Sequence, residues 1–251
     1  VRAVLYICHG TRLKAGAKQA ADFIARTMPL VKVDIQEICY LELSEPSIEE
    51  GVRACVERGA TEIIAVPFLL LTAGHAKVDI PQDLARAVAP YPALTVRYGR
   101  PLGVHPQMID VLMDRMNRAA DAQPDATVLL VGRGSSDPLT KQDFAEILSL
   151  FKQKTGLEDV HVSYMAACDP PFEEELRRLA ALRPKQLFIL PYILFSGVLM
   201  KTMGRAIKDL DTGGDVHLCA QIGYDETVSA ILADRVREAA ESEVFHVSDH
   251  G

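Results

Sequence analysis

His9, Glu42 and His75 are the residues of this chain whose types and positions could do chemistry together. His9 ends the apolar run Ala3 to Cys8 and is followed by Gly10-Thr11-Arg12. Glu42 follows a second run, Val31 to Leu41, and opens Glu42-Leu43-Ser44-Glu45-Pro46. His75 stands just past a third run, Ile63 to Leu71, after the small-residue punctuation Thr72-Ala73-Gly74. Two imidazoles and a carboxylate with coordination positions left open suit a divalent first-row ion such as Fe²⁺, Co²⁺ or Ni²⁺. Affinity alone does not choose among these, because copper or zinc would bind more tightly than iron. Imidazole must be neutral to ligate, so such a site weakens in acid. Each residue also has a plainer reading: a turn histidine beside Gly10, a helix cap at His75, a solvated carboxylate at Glu42. Their shared placement at strand ends favours the chemical one.

Strand and helix patterns alternate along the chain, which predicts parallel sheets covered by helices. Ala3 to Cys8 leads to a helix from about Ala15 to Thr27. After the second strand, Ser47 and Glu50 form a capping box that opens a helix to about Arg58. The third strand's helix has Asp79 and Pro81 near its start and runs to about Val88. A fourth strand, Leu94 to Tyr98, precedes a helix started by His105-Pro106, with an apolar stripe of Met108, Ile109, Leu112, Met113 and Met116. His161 and His217 sit in strand-like runs and read as structural. In a doubly wound domain the expected strand order is 2-1-3-4. That order sets the end of strand 1 between those of strands 2 and 3, at spacings of roughly 5 Å. His9, Glu42 and His75 would then converge at one mouth.

The second half repeats the first at an offset of 124 residues. Gly10 and Thr11 return as Gly134 and Ser135, Tyr40 and Pro46 as Tyr164 and Pro170, and Val66-Pro67-Phe68 as Leu190-Pro191-Tyr192. Lys77 returns as Lys201 and Gly99 as Gly223. The fold expected is α/β: two tandem similar domains, residues 1–120 and 127–251, joined by a linker at 121–126. Each is a parallel four-stranded sheet flanked by helices, with a ligand cleft between the domains. The last helix runs from about Glu226 to Ser242, and the tail holding His246 and His250 reads as frayed. The repeat also serves as a control. His9, Glu42 and His75 are matched by Arg133, Ala166 and Leu199, so the second copy does without the three groups.

Composition narrows the class. The 251 residues are 49% hydrophobic with a net charge of −7, which argues against nucleic acid as a partner. The stretches without formal charge, Ile63 to Ala76 and Gln186 to Met200, each carry a proline and are too short to span a bilayer. The five cysteines are scattered and form no C-x-x-C pair, as in a reduced, cytoplasmic protein, and no leader segment is read ahead of the first strand. With two domains in one chain, a monomer is expected. Gly132-Arg133-Gly134-Ser135-Ser136-Asp137 has aspartate where a dinucleotide loop needs its third glycine. Histidine phosphatases carry arginine where this chain has Cys8.

The motifs Gly10-Thr11-Arg12, Leu41-Glu42-Leu43-Ser44-Glu45-Pro46, Ala73 to Pro81 (AGHAKVDIP) and Gly132 to Pro138 (GRGSSDP) together resemble the sirohydrochlorin chelatases, class II metal-inserting enzymes, in their long duplicated form. The resemblance covers nearly the whole chain. It implies insertion of Fe²⁺ or Co²⁺ into sirohydrochlorin, with the metal as substrate and no permanent cofactor. His9 and His75 would bind metal, Glu42 would assist, and His9 by preference would accept pyrrole protons. Glu45, Leu70, Leu71, Thr72, Ala73 and Gly74 would line the tetrapyrrole site. Arg12, Lys14, Lys77, Arg133 and Lys201, near strand ends, would receive its carboxylates. The competing expectation is a metal or tetrapyrrole carrier without turnover.

Overall fold

The computed structural model describes every residue except Ala73, Asp209, His250 and Gly251, with the backbone alone at Asp249. The expectations for Ala73 and His250 therefore lie outside the described residues. The chain forms two compact units, residues 1–103 with 226–251 and residues 104–225. Unit 1 holds β1 (Arg2–Cys8), α1 (Lys14–Thr27), β2 (Ile35–Tyr40), α2 (Ile48–Glu57), β3 (Glu62–Phe68), α3 (Ile80–Val88) and β4 (Thr95–Tyr98). Unit 2 holds α4 (Pro106–Ala119), β5 (Thr127–Gly132), α5 (Leu139–Thr155), β6 (Val160–Tyr164), α6 (Phe172–Ala181), β7 (Gln186–Tyr192), α7 (Val198–Lys208) and β8 (Asp215–Leu218). The last helix, α8 (Glu226–Glu241), belongs to unit 1. Both sheets are wholly parallel, in the orders β2-β1-β3-β4 and β6-β5-β7-β8, the topology the alternating pattern predicts.

The central strands are buried on both faces, which is why they read as unbroken apolar runs. In unit 1, Ala3, Leu5 and Ile7 face α2 and α3 through Val52, Cys55, Ile80 and Leu84. The other face packs against α1, with the Phe23 and Phe68 rings stacked 4.7 Å apart. Burial pushes the Cys8 and Cys55 thiols up to about 12, and Cys39 is also well above its ordinary value. The cysteine beside His9 is thus an inert core thiol at neutral pH.

Two strand limits and the tail differ from expectation. β2 begins at Ile35 because residues 28–30 form a 3₁₀ turn and the Gln36 amide donates to the carbonyls of Met28, Val31 and Val33, curling the chain before the strand. β3 ends at Phe68; beyond it the Leu69 and Leu70 carbonyls accept from Leu102 and Gly103 in the loop after β4. The tail is anchored: Val244 bridges Arg97, Phe245 donates its N–H to the Val96 carbonyl, and its ring meets Tyr98. It covers β4, an open sheet edge with unpaired backbone groups.

The repeat has a break that sequence anchors conceal. The 124-residue offset holds as far as β7, where Ile189 accepts from Cys219 as Ala65 accepts from Gly99. The structural partner of Gly223 is therefore Gly103, at an offset of 120: both have positive φ, and they donate to Leu194 and Leu70 respectively. Four residues are missing between β7 and β8, so pairing Gly99 with Gly223 is corrected.

The compact units also differ from the sequence repeats 1–120 and 127–251. The fourth helix of each repeat packs on the other repeat's sheet, α4 against β7 and α5, and α8 against β3 and α1. A buried arginine pins each exchange. Arg115 of α4 donates to the Ile222 carbonyl at 2.6 Å, and Arg235 of α8 donates to the Leu102 carbonyl at 2.5 Å. Those carbonyls lie in loops that would otherwise bury unpaired acceptors.

Candidate metal centre

His9, Glu42 and His75 form one cluster, with a ligand atom from each lying within 4.8 Å of the others. Among the described residues it is the one group of three or more histidine, cysteine or acidic side chains arranged to hold a metal. The backbone ladder of β1 and β2 continues past the strands and sets the first two groups. Leu41 donates to the Cys8 carbonyl at 2.9 Å and Glu42 to the His9 carbonyl at 3.1 Å. Ser44 locks the same loops, since Thr11 N–H donates to its hydroxyl and the hydroxyl donates to the Thr11 carbonyl.

Gly10 permits this closeness. A Cβ there would lie 1.7 Å from the Glu42 carbonyl oxygen, and its φ is +95°. Gly134 repeats the constraint against Ala166 with φ +90°. The second copy thus keeps the scaffold, including the Ala166 to Arg133 ladder bond at 3.0 Å, while carrying no ligand-type side chain at those positions. Gly10→Ala should lower unfolding free energy by at least about 1–3 kcal/mol, the usual cost of a forced φ. It should also reduce metal affinity. Urea denaturation and Co²⁺ titration check both; wild-type values in each would show that the loops do not need this approach.

His75 sits differently from expectation. The helix after β3 begins with it, as a π turn from His75 to Asp79 in which the His75 carbonyl accepts from Ile80 N–H, and only then continues as α3. Such wide turns recur at functional sites. Tyr98 anchors this one by donating its hydroxyl to the Ala76 carbonyl at 2.7 Å. Asp79 is therefore one turn into the helix, and its carboxylate meets His75 Nδ1 at 2.8 Å.

The hydrogen bonds fix which ring nitrogens face each other. A carbonyl and a carboxylate only accept. His9 Nδ1, 3.0 Å from the Gly10 carbonyl, and His75 Nδ1, bonded to Asp79, therefore carry the protons. With both rings neutral, the two Nε2 lone pairs point into the cluster, 3.1 Å apart, with Glu42 Oε1 3.5 Å from His9 Nε2. Two lone pairs at that distance repel unless a proton or a metal ion lies between them. An ion about 2.1 Å from each nitrogen would see them at roughly 95°, adjacent positions of an open six-coordinate sphere. The side chains of His9, His75 and Glu42 are 21%, 40% and 50% exposed, so the ion can be reached.

The other expected site residues lie on loops. Glu45 and Arg12 are exposed beside the cluster-bearing segments, and Leu70, Leu71, Thr72 and Gly74 are half-buried between β3 and the π turn. Arg133 is exposed at the strand end of unit 2 that matches His9. Sequence reasoning missed Asp79, although its position four residues after a histidine on a helix was a legible signal. It also missed three exposed apolar side chains on the same loops, Leu13, Leu43 and Val78. Their counterparts in the second copy are Asp137, Ala167 and Thr202.

The CbiX family profile matches residues 3–119 and again residues 127–239. The chain belongs to the CbiX family. It is 45% identical over 237 residues to a sirohydrochlorin ferrochelatase of Priestia megaterium, covering 94% of this chain and 89% of that protein. It is 32% identical over 252 residues to a sirohydrochlorin cobaltochelatase of the same organism, covering 97% and 82%. The solved structure of SirB from Bacillus subtilis with Fe³⁺ superposes with a TM-score of 0.89 at 38% identity, covering 96% of each chain. The two CbiX matches coincide with the sequence repeats, and the exchanged helices are their carboxyl-terminal elements.

Proposed function

We propose that this CbiX chain is a sirohydrochlorin chelatase that inserts Fe²⁺ or Co²⁺ into its tetrapyrrole. The observation that carries the reading is the pair of inward-facing Nε2 lone pairs flanked by the Glu42 carboxylate. Iron is the first choice, because the ferrochelatase relative is the more similar of the two reported above.

The reaction is a ligand exchange. His9, His75 and Glu42 hold the ion in an open sphere beside the macrocycle. As a pyrrole nitrogen displaces His9 Nε2, the vacated lone pair takes up the proton that nitrogen loses. The second proton passes to Glu42, whose half-exposed carboxylate hands it to water. Two protons thus leave as the dication enters, and the four nitrogens close around it. Leu13, Leu43 and Val78 offer apolar contact to the macrocycle face beside the ion. Glu45, Leu70, Leu71, Thr72 and Gly74 line the same site, and Arg12, Lys14 and Lys77 receive substrate carboxylates.

All five cysteines are free thiols, which supports work in the cytoplasm. No helix among the described residues is long and apolar enough to cross a membrane. One chain carries both copies, and we take it to act as a monomer.

Substoichiometric protein, incubated anaerobically with sirohydrochlorin and Fe²⁺ or Co²⁺, should give many turnovers by the change in tetrapyrrole absorbance. Product limited to one equivalent would identify a carrier instead.

A further inference from the structure

We propose that Asp79 is a positioning residue that holds His75 with Nε2 as the metal-facing lone pair. Its carboxylate lies 2.8 Å from His75 Nδ1 and accepts that nitrogen's proton in a hydrogen bond, which leaves Nε2 unprotonated and aims the ring at His9 Nε2. A neutral histidine otherwise divides between two tautomers, and the one protonated on Nε2 cannot ligate from that atom. Outer partners of this kind fix ring orientation and raise ligand basicity.

Two observations separate this role from an incidental surface pair. First, Asp79 is half-exposed and has no other hydrogen-bond or ion-pair partner among the described residues, so the fold has no other evident use for its carboxylate. Second, the two copies differ at this turn. The second copy has Leu199 in line with His75, and its helix α7 carries no π turn, so Met203 takes the buried place that Ile80 takes in unit 1. The added residue of the π turn, and the acid set beside the imidazole, thus belong to the copy that carries the cluster. The π turn sets the pair at the helix start, where no earlier turn covers His75.

The inference rests on the chelatase reading for its kinetic consequence alone, so its test begins without tetrapyrrole. In the apoprotein, nitrogen NMR of labelled histidine should show His75 protonated on Nδ1. Asp79→Ala should move it toward the Nε2-protonated form and weaken Co²⁺ binding by about 10–100-fold. Asp79→Asn, which keeps an acceptor oxygen and loses the charge, should fall between. In turnover assays the loss should appear mainly in the KM for metal. Circular dichroism and thermal melting should match wild type, because an exposed pair contributes little to stability. An unchanged tautomer in both variants, with or without weaker metal binding, would overturn the role. Correct positioning and metal binding in a protein that never turns over would instead count against the chelatase reading.

Discussion

Replacing His75 by alanine, and separately His9 by alanine, should abolish metal insertion while the fold persists. Each substitution removes one of the two lone pairs that face each other at 3.1 Å, leaving a single imidazole and an exposed carboxylate to hold the ion. The loss should exceed the roughly 100-fold that removing an outer partner costs, because a ligand itself is gone. The fold should survive, since both rings are partly exposed. The backbone bonds that place His9 beside Glu42, and Tyr98's bond to the π turn, are also independent of the imidazoles. Leu199→Ala supplies the comparison. It packs at the margin of the unit 2 core at the position matching His75, so its loss should cost stability and leave the chemistry nearly intact. Initial-rate assays beside thermal melts separate the cases. Near-normal turnover in both histidine variants would refute the metal assignment, and equal losses in Leu199→Ala and His75→Ala would mean that the two copies share the work.

The second large effect concerns where the chain can be cut. A fragment ending at residue 120 contains one whole sequence repeat, and it should fail to fold. It lacks α8, whose Val228, Ile231, Leu232, Val236 and Ala239 are buried in unit 1. At about 1.5–3 kcal/mol for each larger apolar side chain, their removal withdraws on the order of 10 kcal/mol. That is comparable with the whole stability of a domain. The fragment also leaves the Leu102 carbonyl without Arg235. The desolvated Arg235 guanidinium, whose pKa burial lowers, finds its partners among the described residues in that loop and in Glu238. A chain in which residues 226–251 are joined through a flexible linker to residues 1–103 should instead fold cooperatively and bind Co²⁺, because it holds the three ligands, Asp79 and both covering helices. Circular dichroism and urea titration of the two proteins decide the matter. A stable fragment 1–120 would show that α4 can take the place of α8 on the sheet of unit 1.

These two predictions draw on different layers of information. The clustering of His9, Glu42 and His75 was legible in the sequence because each of them closes a periodic apolar run. A doubly wound order then has one way to bring the ends of strands 2, 1 and 3 together. The same local logic yielded the Ser47–Glu50 capping box, which forms as expected, and the helix start at His105. Local pattern was a poorer guide where a side chain reaches back along the chain, as Gln36 does in delaying β2. The His75 turn was displaced for a similar reason. Its histidine and aspartate bond to each other inside the helix, and no propensity scale reports a wide turn held by Tyr98 from a neighbouring strand.

By itself, then, the sequence determined the alternating parallel architecture, the duplication, and the three groups that one copy carries and the other lacks. Those features depend on residue type and on short spacings along one chain segment. Only the tertiary structure decided which nitrogen of each imidazole faces the other, that Asp79 stands behind His75, and that each repeat's last helix covers the other repeat's sheet. These follow from contacts between groups far apart in sequence. Either of two similar sheets could bury an amphipathic helix from either repeat, so periodicity cannot choose between them, and only the bonds of Arg115 to Ile222 and of Arg235 to Leu102 show which choice the chain makes.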